Sequence, residues 1–128
     1  MKTIQNGNPL VLLLIDDLIF VSKVSIAARE AGVDTRVITR TDFDDIEKLV
    51  GPADLILVDL NAEQLNPVEF IRTVSELPTV RDTRIVCYVA HIDKELIEEA
   101  ERYEGVTVLP RSQFVEQLPG ILEGVKQE

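Results

Sequence analysis

Three aspartates that directly follow apolar runs are the residues of this chain best placed to do chemistry. Asp16 and Asp17 end the run Leu10–Ile15, and Asp59 ends the run Leu55–Val58. If the two runs are neighbouring parallel strands, their carboxyl ends meet at one edge of a sheet and the three carboxylates share a cleft. Unit charges 4 Å apart repel by roughly 1–4 kcal/mol per pair. A bound cation relieves this repulsion, and oxygen ligands in a wet cleft suit Mg²⁺.

The segments that position these aspartates alternate between apolar runs and amphipathic stretches. A segment of helical period follows each of five predicted strands. The second of these, Thr41–Pro52, is predicted to be a helix capped by Thr41 or Asp42, and the last helix is predicted to start at Ser112. Five βα units in succession predict a doubly wound α/β fold, a parallel sheet with helices on both faces. The predicted strands are Leu10–Ile15, Asp34–Arg40, Leu55–Leu60, Ile85–Ala90 and Val106–Leu109.

Composition and charge exclude several classes of protein. The chain has 128 residues, 45% of them hydrophobic, which suits one domain over residues 1–128. Its formal charge of −10, with 13 scattered basic residues, disfavours direct binding of nucleic acid. No apolar run approaches the length of a membrane span, and no signal peptide is recognised. The single cysteine, Cys87, excludes an internal disulfide and suits a cytoplasmic protein.

Over residues 10–122 the chain resembles a divergent receiver domain of two-component response regulators. In that family an acidic pair ends strand 1 and helps to hold Mg²⁺, and Asp16 and Asp17 match this pair. An aspartate that ends strand 3 accepts a phosphoryl group from a histidine kinase, and Asp59 matches it. The backbone carbonyl two residues later, that of Asn61, is the family's further metal ligand. The resemblance implies the flavodoxin-like (CheY-like) fold with five parallel strands in the order 2-1-3-4-5, which reverses between strands 1 and 3.

Two positions depart from the receiver pattern. The family has Ser or Thr at the end of strand 4, where the hydroxyl binds the phosphoryl group, and here that position is Val89 or Ala90. The family's lysine at the end of strand 5 aligns with Arg111, which keeps the charge in a different geometry. We therefore expect impaired phospho-switching, because a ligand shifts an equilibrium only through contacts that differ between the two states.

Other residues near the predicted cleft leave more than one interpretation open. His91 is either an ordinary polar residue at the start of a loop or a substitute donor to phosphate. Within the segment Leu18–Phe20, Ile19 and Phe20 either pack into the core or present an apolar patch to a partner. Cys87 lies in the middle of a strand, and we predict that it belongs to the core.

The residues and the resemblance together predict a stand-alone receiver-like signalling domain, not an enzyme, with a weak Mg²⁺ site around the phosphoacceptor Asp59. Its partner is then a histidine kinase or another signalling protein, and the sequence leaves a homodimer open. One alternative is a pseudo-receiver that is not phosphorylated and serves as a protein-interaction module. The other is a small Mg²⁺-dependent phosphatase, which needs an acid/base two residues after the nucleophile. Asn61 cannot serve as that group.

Overall fold

A computed structural model of the chain describes residues 7–78 and 83–126. The strands are β1 (Leu10–Leu14), β2 (Asp34–Val37), β3 (Leu55–Asp59), β4 (Arg84–Val89) and β5 (Val106–Pro110). The helices are α1 (Leu18–Ala31), α2 (Ile46–Val50), α3 (Pro67–Ser75), α4 (Lys94–Glu101) and α5 (Arg111–Val125). The strands form one parallel sheet in the order β2-β1-β3-β4-β5, which confirms the predicted doubly wound α/β fold.

The two central strands are buried on both faces of the sheet, which explains their continuous apolar sequence. In β1, Val11 and Leu13 belong to one hydrophobic cluster, whereas Leu12 and Leu14 belong to another, and all four side chains are fully buried. Side chains of α1 and α5 complete the first cluster, and those of α2, α3 and α4 complete the second. Because helices cover both faces of the sheet, we expect a functional site in the loops at the strand ends.

The parallel register brings the carboxyl ends of the strands to one edge of the sheet, here called the carboxyl edge. Asp59, the last residue of β3, lies opposite Tyr88 in β4. Val89, the last residue of β4, lies opposite Pro110 at the end of β5. The residues that follow strand ends at this edge include Asp16, Asp17, Asn61, Ala90 and Arg111.

The second helix begins later than the sequence predicted. A 3₁₀ helix over Arg40–Asp45 comes first, and α2 follows it. The cap of α2 is Asp45, whose carboxylate accepts a hydrogen bond of 3.1 Å from the Lys48 N–H. The predicted caps, Thr41 and Asp42, lie inside the 3₁₀ helix. Several residues that are able to cap a helix follow one another in this segment, so their types alone do not identify the cap.

The last helix, α5, begins at Arg111, one residue earlier than predicted. Its buried residues recur at helical spacing and pack against α1 and the sheet. Because α5 follows β5 without a loop, the end of β5 places the backbone of Arg111 at the carboxyl edge. Among the residues that the structure describes, neither α5 nor any other helix is long and apolar enough to cross a membrane.

Candidate functional site

Asp59 is the best-defined carboxylate at the carboxyl edge. It is partly buried, and its Oδ1 accepts a hydrogen bond of 2.9 Å from the Asn61 N–H. Burial raises the pKa of Asp59 above its ordinary value of 3.8, and the charge of Asp16 raises this pKa as well. The Asn61 N–H, the Tyr88 hydroxyl and the charge of Arg111 lower this pKa. Asp59 is therefore an oriented carboxylate in a place where its negative charge is unfavourable.

The two residues of the acidic pair have different surroundings. Asp17 caps α1, since its Oδ1 accepts hydrogen bonds from the N–H groups of Ile19 (3.0 Å) and Phe20 (3.2 Å). Asp16 is exposed, and its charge acts on Asp59. The charge of Asp16 thus acts on Asp59. One carboxylate oxygen of Asp17, in contrast, already accepts hydrogen bonds from the first N–H groups of α1.

Asn61 joins the end of β3 to the loop after β4. Its side-chain Oδ1 accepts hydrogen bonds from the N–H groups of Ala90 (2.7 Å) and His91 (3.2 Å). Its backbone carbonyl, the predicted metal ligand, accepts a hydrogen bond of 2.9 Å from the Glu63 N–H. A carbonyl oxygen has two lone pairs, so one remains for a metal ion. The role of the Asn61 side chain was missed at the sequence level, because it depends on where a distant loop passes.

Tyr88 is a second residue of the site that sequence reasoning missed. Its fully buried ring lies 4.9 Å from the Phe20 ring and 4.8 Å from the Phe114 ring, between centroids. Its hydroxyl acts on the Asp59 carboxylate and lowers the pKa of that group. Burial and the charge of Asp59 raise the pKa of Tyr88, so the phenol keeps its proton and acts as a donor. A tyrosine inside the apolar run IVCYVA was the available signal, since a buried phenol needs a polar partner.

Comparison with solved structures shows a close match of fold to response regulators. The chemotaxis response regulator CheY4 of Vibrio cholerae aligns with a TM-score of 0.74 and 21% identity, over 92% of this chain and 98% of that chain. A response regulator from Hahella chejuensis aligns with a TM-score of 0.77 and 13% identity, over 92% and 95% of the two chains. A response regulator from Thermotoga maritima aligns with a TM-score of 0.67 and 19% identity, over 94% of this chain and 99% of that chain. The fold is that of a CheY-like receiver domain.

Comparison with models of protein families found no match to this receiver-like chain, and neither did comparison with curated protein sequences. The similarity to solved structures confirms the resemblance at the level of the receiver fold. The roles of single residues depend on the geometry of the site.

The predicted metal site combines the carboxylates of Asp16, Asp17 and Asp59 with the carbonyl of Asn61. Within residues 7–78 and 83–126, no three side chains of His, Cys, Asp or Glu lie close enough together to hold a metal ion. The cluster of three carboxylates suggested by the strand ends is thus not formed. Mg²⁺ takes only one or two protein carboxylates and keeps several waters. Asp16, Asp59 and the carbonyl of Asn61 fit that requirement, and the Mg²⁺ site stays a prediction.

The receiver's hydroxyl at the end of strand 4 has no equivalent at either candidate position. Val89 is buried in the same core cluster as Cys87, whereas Ala90 is exposed at the carboxyl edge. Of the two, only position 90 could therefore present a hydroxyl to solvent at this edge. Burial raises the pKa of the Cys87 thiol, and its predicted place in the core is confirmed.

Arg111, at the receiver's lysine position, lies against an aromatic ring. Its guanidinium carbon is 4.4 Å from the centroid of the Phe20 ring, and its Nη2 is 3.8 Å from Oδ2 of Asp17. The stacking contributes about 0.5–1 kcal/mol, and a partly exposed ion pair of this kind adds at most about as much. The carboxylate with which Arg111 pairs is thus that of Asp17, and its charge has only a minor effect on the pKa of Asp59.

Three large apolar side chains beside the cleft are exposed and are here called the apolar rim. They are Leu18 (77% exposed) and Ile19 (76%) after β1, and Ile92 (67%) after β4. Phe20, in contrast, is buried. Phe20 therefore packs into the core, whereas Ile19 is exposed, and its contact with a partner stays a prediction. His91 is exposed, and its role as a donor to phosphate stays a prediction.

We expect Tyr88→Phe to raise the pKa of Asp59, because the change removes the hydroxyl that lowers this pKa and keeps the aromatic ring. An NMR titration of the Asp59 side-chain carboxyl carbon measures this pKa. The matched control is Tyr103→Phe, which removes the hydroxyl of the other tyrosine and should leave the Asp59 titration unchanged. An unchanged pKa in Tyr88→Phe would show that the phenol does not stabilise the carboxylate.

Asp59→Asn should raise the free energy of unfolding at neutral pH by on the order of 1 kcal/mol, the common size of a single-site change. The amide removes an unfavourable charge and can still accept the Asn61 N–H. Because the pKa of Asp59 is raised in the folded state, its destabilising effect on the wild type is lost as the pH falls through that pKa. The gain from Asp59→Asn should therefore vanish once the pH is below the ordinary value of 3.8.

Denaturant unfolding at neutral and at acidic pH measures this difference. The exposed Asp44 provides a control, because Asp44→Asn removes the same charge outside the cleft and should change stability by less than about 0.5 kcal/mol. A loss of stability in Asp59→Asn at neutral pH contradicts the interpretation that the charge of Asp59 is unfavourable in the folded state.

Proposed function

We propose that this chain is a receiver-like signalling domain in which Asp59 accepts a phosphoryl group and the response to that group is attenuated. The observation that carries the proposal is the position of Asp59. It ends β3 at the point where the strand order reverses, beside the charge of Asp16. The similarity of the fold to response regulators supports the proposal. The expected partner is a histidine kinase or another signalling protein.

Phosphoryl transfer depends on an oriented nucleophile and on relief of negative charge. The Asn61 N–H holds Oδ1 of Asp59 and so orients the carboxylate. One carboxylate oxygen forms a bond to phosphorus while the bond between phosphorus and the donor's leaving group breaks, and that electron pair departs with the leaving group. When bound, Mg²⁺ would neutralise charge on the phosphoryl oxygens. The groups that would hold it are the carboxylates of Asp16 and Asp59 and the carbonyl of Asn61.

The attenuated response follows from the side chains at the ends of β4 and β5. Neither Val89 nor Ala90 supplies a hydroxyl, and Arg111 is stacked on Phe20. A hydrogen bond to a charged group contributes about 1.5–3 kcal/mol. That is most of a typical coupling free energy of about 1–3 kcal/mol. Without this contact, a phosphoryl group interacts about equally with different arrangements of β4 and β5, and so it shifts the equilibrium between them little.

The apolar rim favours a second candidate function, that of a protein-interaction module which needs no phosphorylation. Leu18, Ile19 and Ile92 follow directly on the residues of the acidic cleft and its neighbouring loop. Exposed apolar side chains that neighbour one another, as Leu18 and Ile19 do along the chain, can mark contact surfaces. A chain that folds normally and takes no phosphoryl group in the experiment below would favour this function over the first.

A phosphatase is disfavoured by the position two residues after Asp59. The amide of Asn61 does not ionise near neutral pH, and its side-chain oxygen already accepts hydrogen bonds from two backbone N–H groups. We therefore expect no turnover of a phosphomonoester such as p-nitrophenyl phosphate in the presence of Mg²⁺.

Incubation with acetyl phosphate and Mg²⁺ should add one phosphoryl group to the wild-type chain, detected by intact mass. Asp59→Asn should remain unmodified because it lacks the nucleophilic carboxylate, and Asp44→Asn should be modified like the wild type. Chelation of Mg²⁺ should greatly slow the reaction. Modification of Asp59→Asn, or an unmodified wild type, would refute Asp59 as the acceptor.

Beryllofluoride with Mg²⁺, a mimic of the phosphoryl group, should change the amide chemical shifts around Asp59 and leave those of residues 94–114 nearly unchanged. The reason is the absent hydroxyl at the end of β4. Ala90→Thr is the variant to restore a response, because position 90 is exposed, whereas Val89→Thr would bury a hydroxyl in the core. Large wild-type shifts through residues 94–114 would show that the switch operates without a hydroxyl.

A further inference from the structure

Asn61 is bonded to two different segments of the carboxyl edge. Its backbone N–H donates a hydrogen bond of 2.9 Å to Oδ1 of Asp59. Its side-chain Oδ1 accepts from the N–H groups of Ala90 (2.7 Å) and His91 (3.2 Å), which lie 29 and 30 residues further along the chain. One residue thus holds both the candidate acceptor and the β4–α4 loop, residues 90–93.

The β4–α4 loop depends on this contact for its backbone hydrogen bonds. Regular strand pairing of β4 ends at Val89, so the next N–H groups need acceptors from elsewhere. The side chains of Val89 and Ala90 carry no acceptor. The Asn61 amide oxygen accepts from both Ala90 and His91, and so the start of the loop is positioned from the side of β3.

We propose that Asn61 is a positioning residue that couples the state of Asp59 to the β4–α4 loop. Hydrogen bonds to a charged acceptor are stronger than those to a neutral one, so a change at the Asp59 carboxylate alters its bond with the Asn61 N–H. A shift of the Asn61 backbone then moves its Oδ1 and the N–H groups bonded to it. The signalling meaning of this coupling rests on the proposed function, whereas the coupling itself requires no phosphorylation.

The reach of the coupling is limited by the start of α4. Asp93 caps this helix, and its Oδ1 accepts a hydrogen bond of 3.2 Å from the Leu96 N–H. The movable segment therefore lies between Asn61, whose shift moves it, and the cap of α4, where the movement ends. Ile92, a member of the apolar rim, lies within it. A change at Asp59 would in this way reorient one exposed apolar side chain without rearranging β5.

A double-mutant cycle of Asp59→Asn and Asn61→Ala tests the coupling, with the backbone amides of Ala90 and His91 as the readout. In the otherwise wild-type chain, Asp59→Asn should shift both amide signals. Together with Asn61→Ala, it should lose most of that effect. Asn61→Ala alone should speed hydrogen exchange of the Ala90 amide by roughly tenfold, the equivalent of one lost hydrogen bond.

Two further variants separate coupling from a purely structural role. Gln64→Ala removes an exposed amide from the same turn and should leave both amide signals and the cycle unchanged. Asn61→Asp keeps an oxygen at the same reach and should restore slow exchange at Ala90. If Asn61 only held the loop in place, it would also slow exchange at Ala90. The effects of Asp59→Asn and Asn61→Ala on the amide signals of Ala90 and His91 would then be additive.

The coupling is refuted if Asp59→Asn leaves both amides unmoved, or if it moves them equally with and without Asn61→Ala. The first of these outcomes needs only the Asp59→Asn chain, so it is decisive even where Asn61→Ala folds poorly. Neither Mg²⁺ nor a phosphoryl donor is present in these measurements. A chain that never accepts a phosphoryl group can therefore still show the coupling, and the two proposals fail separately.

Discussion

The parallel pairing of β1 with β3 is the constraint on which the candidate site depends. Leu14 lies opposite Val58, so the acidic pair after β1 and the acid that ends β3 leave the sheet side by side. Apolar burial holds them there, since each fully buried Leu or Val contributes about 1.5–3 kcal/mol. Repulsion between two solvated carboxylates is on the order of 1 kcal/mol at 4 Å. The core of the sheet therefore outweighs the repulsion at its edge.

The three carboxylates at this edge differ in how their charge is balanced. Asp17 lies at the N-terminus of α1 and near Arg111, both of which favour its negative charge. Asp59 receives the Asn61 N–H but remains partly buried. Asp16 is exposed and adds its charge to that felt by Asp59. The charge of Asp16 thus adds to the cost of the negative charge on Asp59.

The sequence was sufficient for the sheet and for the acids at its edge, and insufficient for the contacts among them. Apolar runs of strand length reveal β1 and β3, and the residues that end them follow directly. The strand order was anticipated through the receiver resemblance, since alternation of strands and helices does not by itself determine which strands are neighbours.

The contacts that sequence reasoning missed join residues far apart in the chain. The hydrogen bonds of the Asn61 side chain span 29 and 30 residues and depend on the path of a loop. The stacking of Arg111 on Phe20 depends on a rotamer choice at the start of α5. The reach of the Tyr88 hydroxyl depends on the register of β3 and β4. The residue types allow these contacts but do not determine the loop path, the rotamer or the register on which each contact depends.

The burial of Tyr88 beside Asp59 has an optical consequence. The chain contains no tryptophan and only two tyrosines, so its near-ultraviolet emission comes from Tyr88 and Tyr103. A carboxylate close to a phenol quenches its fluorescence, because it accepts the proton that the excited phenol gives up readily. With Tyr103 replaced by phenylalanine, the remaining emission would report directly on the charge and occupancy of the cleft. The protein thus carries its own fluorophore beside the residue whose state matters most.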